Sequence, residues 1–287
     1  MDPLIRERAA WLFRDDPVSR NARRLLDRLL SYDRTVELGT ELKDEPNDVI
    51  MRRIADLIAR DVQISGLENI PAEGPALIVA NHPTGIADGI IMWDAVTRRR
   101  SDPFIYANSD ILRVLPQMET MIAPVEWRKE KRSHAKTRET MAYTRKAIEA
   151  GRIGVIFPAG RLAKRRWLKL HEREWMASAA MIARKWDLDV IPVNVRARNS
   201  ALFYLFDMIH PSLRDITLFH ETLNKASQPY RLNFGRPIPA KSLPSSSAEA
   251  IEHLKAETLR LGGRHAPTVS LAEMTRRPRW VRSTLSA

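Results

Sequence analysis

The sequence predicts an α/β fold, with a central, mostly parallel or mixed sheet flanked by helices and an N-terminal helical preface. Three observations carry this expectation. From Val62 onward, short β-rich runs alternate with helical ones, which is the habit of an α/β sheet. The first 60 or so residues, by contrast, show apolar residues at helical spacing. Finally, 44% of the residues are hydrophobic, enough for a substantial core in a chain that is 29% charged.

Taken in order, Ala22, Leu25, Leu26, Leu29 and Leu30 form one stripe, while Arg20, Arg23, Arg24 and Arg28 lie largely off it. This is a basic amphipathic helix. A second follows, with Val49, Ile50, Ile54, Leu57 and Ile58 on one face. The preface, residues 1–60, is expected to pack on the catalytic part, to touch a membrane through an interfacial face, or to do both. Strands are expected at 62–65, 76–80, 104–107, 121–125, 153–157, 190–195 and 231–234. Helices are expected at about 88–97, 133–150, 172–186, 202–209, 213–224 and 247–261. Pro239 and the Pro-Ser stretch at 244–247 mark a loop before the last helix, and Gly262 with Gly263 suit its end. Residues 61–263 thus read as the catalytic domain. Past Pro267 periodicity fades and basic residues accumulate, so 264–287 is expected to be a loose tail.

At 287 residues, one α/β domain with helical additions accounts for the length. No cysteine is present, which removes disulfides, thiolate metal sites and any cysteine acyl-enzyme, and is compatible with a reducing compartment. A net charge of +12 predicts attraction to polyanions, either anionic lipid or nucleic acid. The first twenty residues carry charge throughout, so no signal peptide is expected. Apolar runs such as 76–80 fall far below the roughly 18 residues of a spanning helix. The expected location is cytoplasmic and peripheral, on the inner face of the membrane.

Several common enzyme signatures are absent: G-x-G-x-x-G, the G-K-[ST] phosphate loop, the G-x-S-x-G elbow and H-E-x-x-H. The stretch that carries chemistry is Ala76-Leu-Ile-Val-Ala-Asn-His-Pro-Thr-Gly-Ile-Ala-Asp-Gly89. A buried strand delivers His82 to its C-terminal edge, where α/β proteins place their sites. On a continuous helix, His82 and Asp88 would point about 120° apart. They meet only if a turn intervenes, and Pro83 with Gly85 supplies one. A His-Asp pair suits acyl transfer to an alcohol. Neutral imidazole accepts the hydroxyl proton, and the carboxylate fixes the tautomer and stabilises the imidazolium.

These residues resemble the first motif of the glycerolipid or lysophospholipid acyltransferases, usually Asn-His-x4-Asp. Asn81 and His82 match, while Asp88 follows after five intervening residues instead of four. The longer loop is similar to the bacterial hemolysin-like or lyso-ornithine lipid branch, with its Asn-His-Pro-x-Gly-x-x-Asp-Gly pattern. Val155-Ile-Phe-Pro-Ala-Gly160 resembles the Phe-Pro-Glu-Gly block, with Ala159 in place of the usual Glu. Arg161, Lys164, Arg165 and Arg166 follow, suited to an anionic headgroup or donor phosphates, with Arg161 the first choice and a solvated basic loop the alternative. Val190-Ile-Pro-Val-Asn-Val195 and Arg198 resemble the family's late strand and its sequel, and Leu223-Asn-Lys225 and Phe234-Gly-Arg-Pro-Ile238 also fit the branch. The family's second block falls at Arg128, Lys131 and Arg132, none of which aligns securely.

The resemblance implies one-step transfer from an acyl-CoA or acyl-carrier-protein thioester to a lysolipid hydroxyl, lysophosphatidate or lyso-ornithine lipid, at an anionic membrane surface. His82 would be the general base and Asp88 its orienting carboxylate. Asn81, Gly85, Pro158, Gly160, Arg161 and Arg198 would bind substrate, with backbone amides near Gly160 facing the oxyanion. No metal or resident cofactor is implied. Two alternatives stand beside this reading. One is a non-catalytic lipid-binding relative, motivated by Ala159 and the altered His-Asp spacing. The other, less favoured for want of a reader motif, is a basic nucleic-acid-binding protein.

Overall fold

The computed structural model describes residues 2–126, 133–263 and 268–271. Arg128, Lys131, Arg132 and most of the expected tail lie outside them. Four helices come first: α1 (Asp2–Arg8), α2 (Pro17–Leu29), α3 (Tyr32–Glu41) and α4 (Asn47–Ile58). They are followed by β1 (Val62–Ser65), β2 (Ala76–Ala80), α5 (Ile86–Thr97), β3 (Phe104–Asn108), β4 (Ile122–Val125), α6 (His134–Glu149) and β5 (Ile153–Ile156). A hairpin of β6 (Lys164–Arg166) and β7 (Lys169–His171) leads to α7 (Ser178–Lys185) and β8 (Asp189–Arg196). The chain then runs through α8 (Ala201–Ile209), α9 (Pro211–Ile216), α10 (Leu218–Leu223), β9 (Tyr230–Phe234), α11 (Ser247–Arg260) and β10 (Thr268–Ser270).

Seven strands form the central sheet in the order β1-β9-β8-β2-β5-β3-β4. Every pairing is parallel except β8 with β9, so β1 and β9 run against the other five. The expected mostly parallel sheet is therefore observed, with two antiparallel members at one side. Side chains alternate between the two faces of each strand. Ala76, Ile78 and Ala80 of β2 enter a core with α4 and α5, whereas Leu77 and Val79 face Ala147, Ala179, Ala183 and Leu254 of α6, α7 and α11. Helices thus cover both faces, which is why β2 reads as an unbroken apolar run.

The boundary expected at residue 60 does not coincide with a change in packing. Ile50, Met51, Ala55 and Ile58 of α4 belong to the same core as the sheet. The basic amphipathic helix is α2, started by Asp16, whose carboxylate accepts from the Ser19 N–H and hydroxyl at 2.8 Å, with Pro17 in the first turn. Its stripe divides: Leu26 and the following Leu30 pack with Phe206 of α8 and Ile216 of α9, whereas Leu25 and Leu29 stay exposed.

Other elements depart from expectation for local reasons. The helix expected at 172–186 begins only at Ser178. Ahead of it, the Trp175 indole donates to Glu172 and the Met176 N–H donates to Pro158 O, which holds that stretch extended. The helix expected at 213–224 is cut at Thr217, whose hydroxyl turns back onto Arg214 O. The basic segment after Gly160, for which a solvated loop was the alternative to an anion-binding cluster, forms the hairpin β6–β7. Within the expected tail, β10 pairs with β7, and Leu271 packs beside Leu170 and Phe203.

Candidate active site

β2 lies between β5 and β8, and its C-terminal end is where the chain has left for β3 and later returns on the opposite side as β8. A crevice at such a point is the usual ligand position of an open α/β sheet. Asn81 and His82 follow β2 directly. The Asn81 amide donates to Val195 O at 2.8 Å and accepts the Val195 N–H at 2.7 Å, extending the β2–β8 ladder by one side-chain rung. Asn81, expected among the substrate contacts, has both ends of its amide on the Val195 backbone, where it holds the strand end.

His82 Nδ1 lies 2.9 Å from Asp88 Oδ2, with the His82 side chain 19% exposed and that of Asp88 fully buried. The ring N–H departs from the line to the carboxylate, so the two groups lie at hydrogen-bond distance without a linear hydrogen bond. The turn that brings the two together is built around Gly85, whose φ of +103° only glycine adopts freely, and where a Cβ would lie 3.0 Å from the Leu162 side chain. Gly85 starts α5, and Asp88, three residues on, reaches back to its N–H at 2.9 Å. Gly85 thus supplies the turn that brings the dyad together. Asp88 also accepts from the Thr84 N–H at 2.8 Å, the Thr84 hydroxyl at 2.6 Å and the Tyr230 hydroxyl at 3.3 Å. Burial pushes the Tyr230 phenol far above its ordinary value and keeps it a donor, and it also contacts the Thr84 hydroxyl. Thr84 and Tyr230 were not singled out from sequence. A Thr four residues before an Asp is a common pairing, and nothing in the spacing ties β9 to β2.

Phe157, following β5, stacks on the imidazole with ring centroids 4.4 Å apart and planes 25° from parallel. Pro158 is buried, and Gly160 closes the turn with its N–H on Phe157 O at 2.9 Å. That amide is engaged within the turn, so the expected oxyanion donor is not offered by Gly160 in this conformation. Arg161 stands exposed just beyond it. Arg198 is partly buried after β8, beside Asn199, whose amide donates to Thr84 O at 3.3 Å. The structure thus gathers His82, Asp88, Gly85 and the Phe157–Gly160 turn around one strand end, with Arg198 adjoining through Asn199.

A further carboxylate escaped the sequence reading. Glu172 Oε2 accepts the His82 N–H at 3.3 Å and its Oε1 accepts the Trp175 indole N–H at 2.9 Å. Burial pushes its carboxyl above the ordinary value, against the lowering effect of those donors and of His82. Its signal is hidden because 172–186 reads as helix from sequence, whereas Glu172 follows β7 in irregular chain ahead of α7.

Residues 61–196, which hold the dyad and the Phe157–Gly160 turn, match the Acyltransferase family model. That match, with the curated relatives, supports a member of the lysophospholipid and glycerolipid acyltransferases. It is 26% identical over 227 residues to the lyso-glycine lipid O-acyltransferase of Phocaeicola vulgatus, covering 75% of this chain and 78% of that one. The protein of the same name from Bacteroides thetaiotaomicron is 24% identical over 235 residues, covering 78% and 83%. In fold, the 1-acyl-sn-glycerophosphate acyltransferase PlsC from Thermotoga maritima superposes with a TM-score of 0.52 at 14% identity, over 86% of this chain and 98% of that one. The chain is therefore an acyltransferase, and the nucleic-acid-binding and non-catalytic alternatives give way. The proximity of His82 and Asp88 agrees with that assignment.

Proposed function

We propose that this acyltransferase esterifies a lysolipid hydroxyl, drawing the acyl group from an acyl-CoA or acyl-carrier-protein thioester in one step at the inner face of a membrane. The observation that carries it is the partly exposed imidazole of His82 held 2.9 Å from a fully buried Asp88 at the carboxyl end of β2. Nε2, the nitrogen turned away from Asp88, accepts the acceptor's hydroxyl proton as the oxygen attacks the thioester carbonyl. The C–O bond forms, the C–S bond breaks, and the imidazolium returns the proton to the departing thiolate. Asp88 holds the ring and offsets its transient charge.

The names of these two relatives support an acceptor of the monoacyl aminoacyl-lipid class, lyso-glycine or lyso-ornithine lipid, ahead of lysophosphatidate. Arg161 and Arg198 are the side chains we assign to an acidic headgroup or donor phosphate. No helix among the described residues is long and apolar enough to cross a membrane. The exposed Leu25 and Leu29 of α2, next to its arginines, favour peripheral contact with an anionic bilayer. The test is direct. Purified protein is incubated with labelled acyl-CoA or acyl carrier protein and a panel of lysolipids, and products are identified by mass spectrometry. Diacyl product from a lyso-aminoacyl lipid is expected, lost in His82→Ala. Wild-type turnover by folded His82→Ala would overturn the mechanism.

A further inference from the structure

The β6–β7 hairpin has an odd sequence for its position. Arg166 pairs with Lys169, so Trp167 and Leu168 form a two-residue turn. Trp167 has φ +53°, in the first central position of that turn, where glycine is the usual occupant because a side chain is strained there. Strain of this kind is ordinarily offset by burial, yet Trp167 is 90% exposed and Leu168 67%. Nothing within the described chain rewards a tryptophan at that place. Around the apolar tip stand Lys164, Arg165, Arg166 and Lys169, four cations with no acidic residue among them. An aromatic and an aliphatic side chain ringed by cations are the two halves of an interfacial anchor: the first enters the headgroup boundary and the second meets its negative charge.

The hairpin is also wired to the catalytic histidine. Just before β6, the Ala163 N–H donates to His82 O at 2.9 Å, and just after β7, Glu172 accepts the His82 N–H at 3.3 Å. Both ends of the finger therefore grip the backbone of the same residue. Its base is fixed, since Leu170 is buried against Phe203 and Tyr204 of α8. On the outer side of α8, Leu205, Met208 and Ile209 are exposed.

We propose that the hairpin is a membrane-inserting finger, with Trp167 and Leu168 entering the interface of an anionic bilayer and the flanking cations on its headgroups. Anchored so, it seats His82 at the depth where a lysolipid hydroxyl lies. The inference rests on the proposed lysolipid acylation for its purpose, though not for its geometry. A basic, apolar tip would also suit an acidic carrier protein, but a strained tryptophan whose side chain is exposed fits a soft headgroup layer better than a shaped protein surface.

The test uses the full chain and its double variant Trp167→Gly/Leu168→Ser. Binding to vesicles of phosphatidylglycerol and phosphatidylcholine is followed by flotation, and insertion by quenching of tryptophan fluorescence with brominated acyl chains. The variant is expected to bind anionic vesicles roughly tenfold more weakly and to lose part of the quenching, while its Tm stays the same or rises because the turn is relieved. Transfer to vesicle-embedded lysolipid should fall in proportion, and transfer to a short-chain, monomeric lysolipid should not. Unchanged vesicle binding, or a loss of affinity confined to purified acyl carrier protein, overturns the finger. The proposed function fails separately, if no lysolipid is acylated while the tip still governs vesicle binding.

Discussion

Asp88 is a carboxylate with four donors arranged around it and a histidine in front of it, so its two oxygens have no room for an N–H of their own. Asp88→Asn would aim an amide NH2 at groups that only donate or are already committed. We expect a loss of about 1–3 kcal/mol of stability from the mispaired donors, together with a fall in kcat of about a hundred- to ten-thousand-fold. His82→Ala should match the activity loss at a smaller stability cost, since it forgoes the Phe157 stack, about 0.5–1.5 kcal/mol, and one neighbour of an Asp88 carboxylate that keeps its four donors. Thermal unfolding alongside steady-state transfer separates the two. The double variant should be no slower than the worse single one, because the pair acts as a unit. Glu172 supplies a pH signature. A carboxyl whose folded pKa is raised contributes stability that is present at low pH and lost as pH rises through that raised value, here above the ordinary 4.5. The Tm of the wild type minus that of Glu172→Gln should therefore shrink as pH rises above 4.5. A difference that stays constant with rising pH would show that the folded carboxyl is not raised. His82, Asp88 and the role of Gly85 as a turn were legible because they lie within one local segment. Thr84's hydroxyl, Tyr230 and Glu172 reach the dyad through tertiary contacts that spacing does not encode.

At the level of elements, the segment after β8 is tied to α10 by Ser200, which donates to the buried Glu221–Lys225 ion pair. Glu221 accepts from the Ser200 N–H at 2.8 Å and from the Ser200 hydroxyl, and it holds Lys225 Nζ at 2.9 Å, with both charged side chains essentially inaccessible. Burial lowers the Lys225 ammonium, while the lysine charge and the Ser200 donors draw the Glu221 carboxyl down against its own burial. The pair keeps the loop carrying Arg198 and Asn199 against Thr84. Lys225→Met leaves a buried carboxylate with neutral donors only, and should cost about 3–5 kcal/mol. A lower denaturant midpoint at constant m would register it. Sequence pattern located each of the seven central strands to within a residue or two, because buried β-rich runs between helical stretches are a strong local signal. It missed the hairpin because Lys164–Arg166 and Lys169–His171 are mostly charged and exposed, and the pairing of β6 with β7 is fixed by the turn and by Leu170, not by hydrophobic alternation. It also extended the helix at 172–186 backward over residues whose side chains serve the site.

For the whole molecule, the question is where the catalytic unit begins. Residues 1–60 share a helical pattern, which is why they read as one preface, but packing divides them. α1 and α2 join α8 and α9 in a small satellite core, tied further by Arg8 to Asp110 at 2.9 Å and by Arg113 to Glu7 at 2.7 Å. α4 is part of the main core, with Ile50 and Ile58 among its most deeply buried residues. Full burial of Ile50, Met51 and Ile58 stabilises by roughly 1.5–3 kcal/mol each, which together approaches the total stability of about 5–15 kcal/mol available to a domain. A chain lacking residues 1–31 should therefore fold cooperatively with a lowered Tm. It should bind anionic vesicles more weakly for want of α2, and still acylate a monomeric lysolipid. A chain lacking residues 1–60 should not fold, because the α4 face of the sheet is left open. Circular dichroism, calorimetry and vesicle flotation of the two truncations check this. Cooperative folding of the shorter chain would place α4 outside the catalytic unit and restore the boundary that periodicity alone implied.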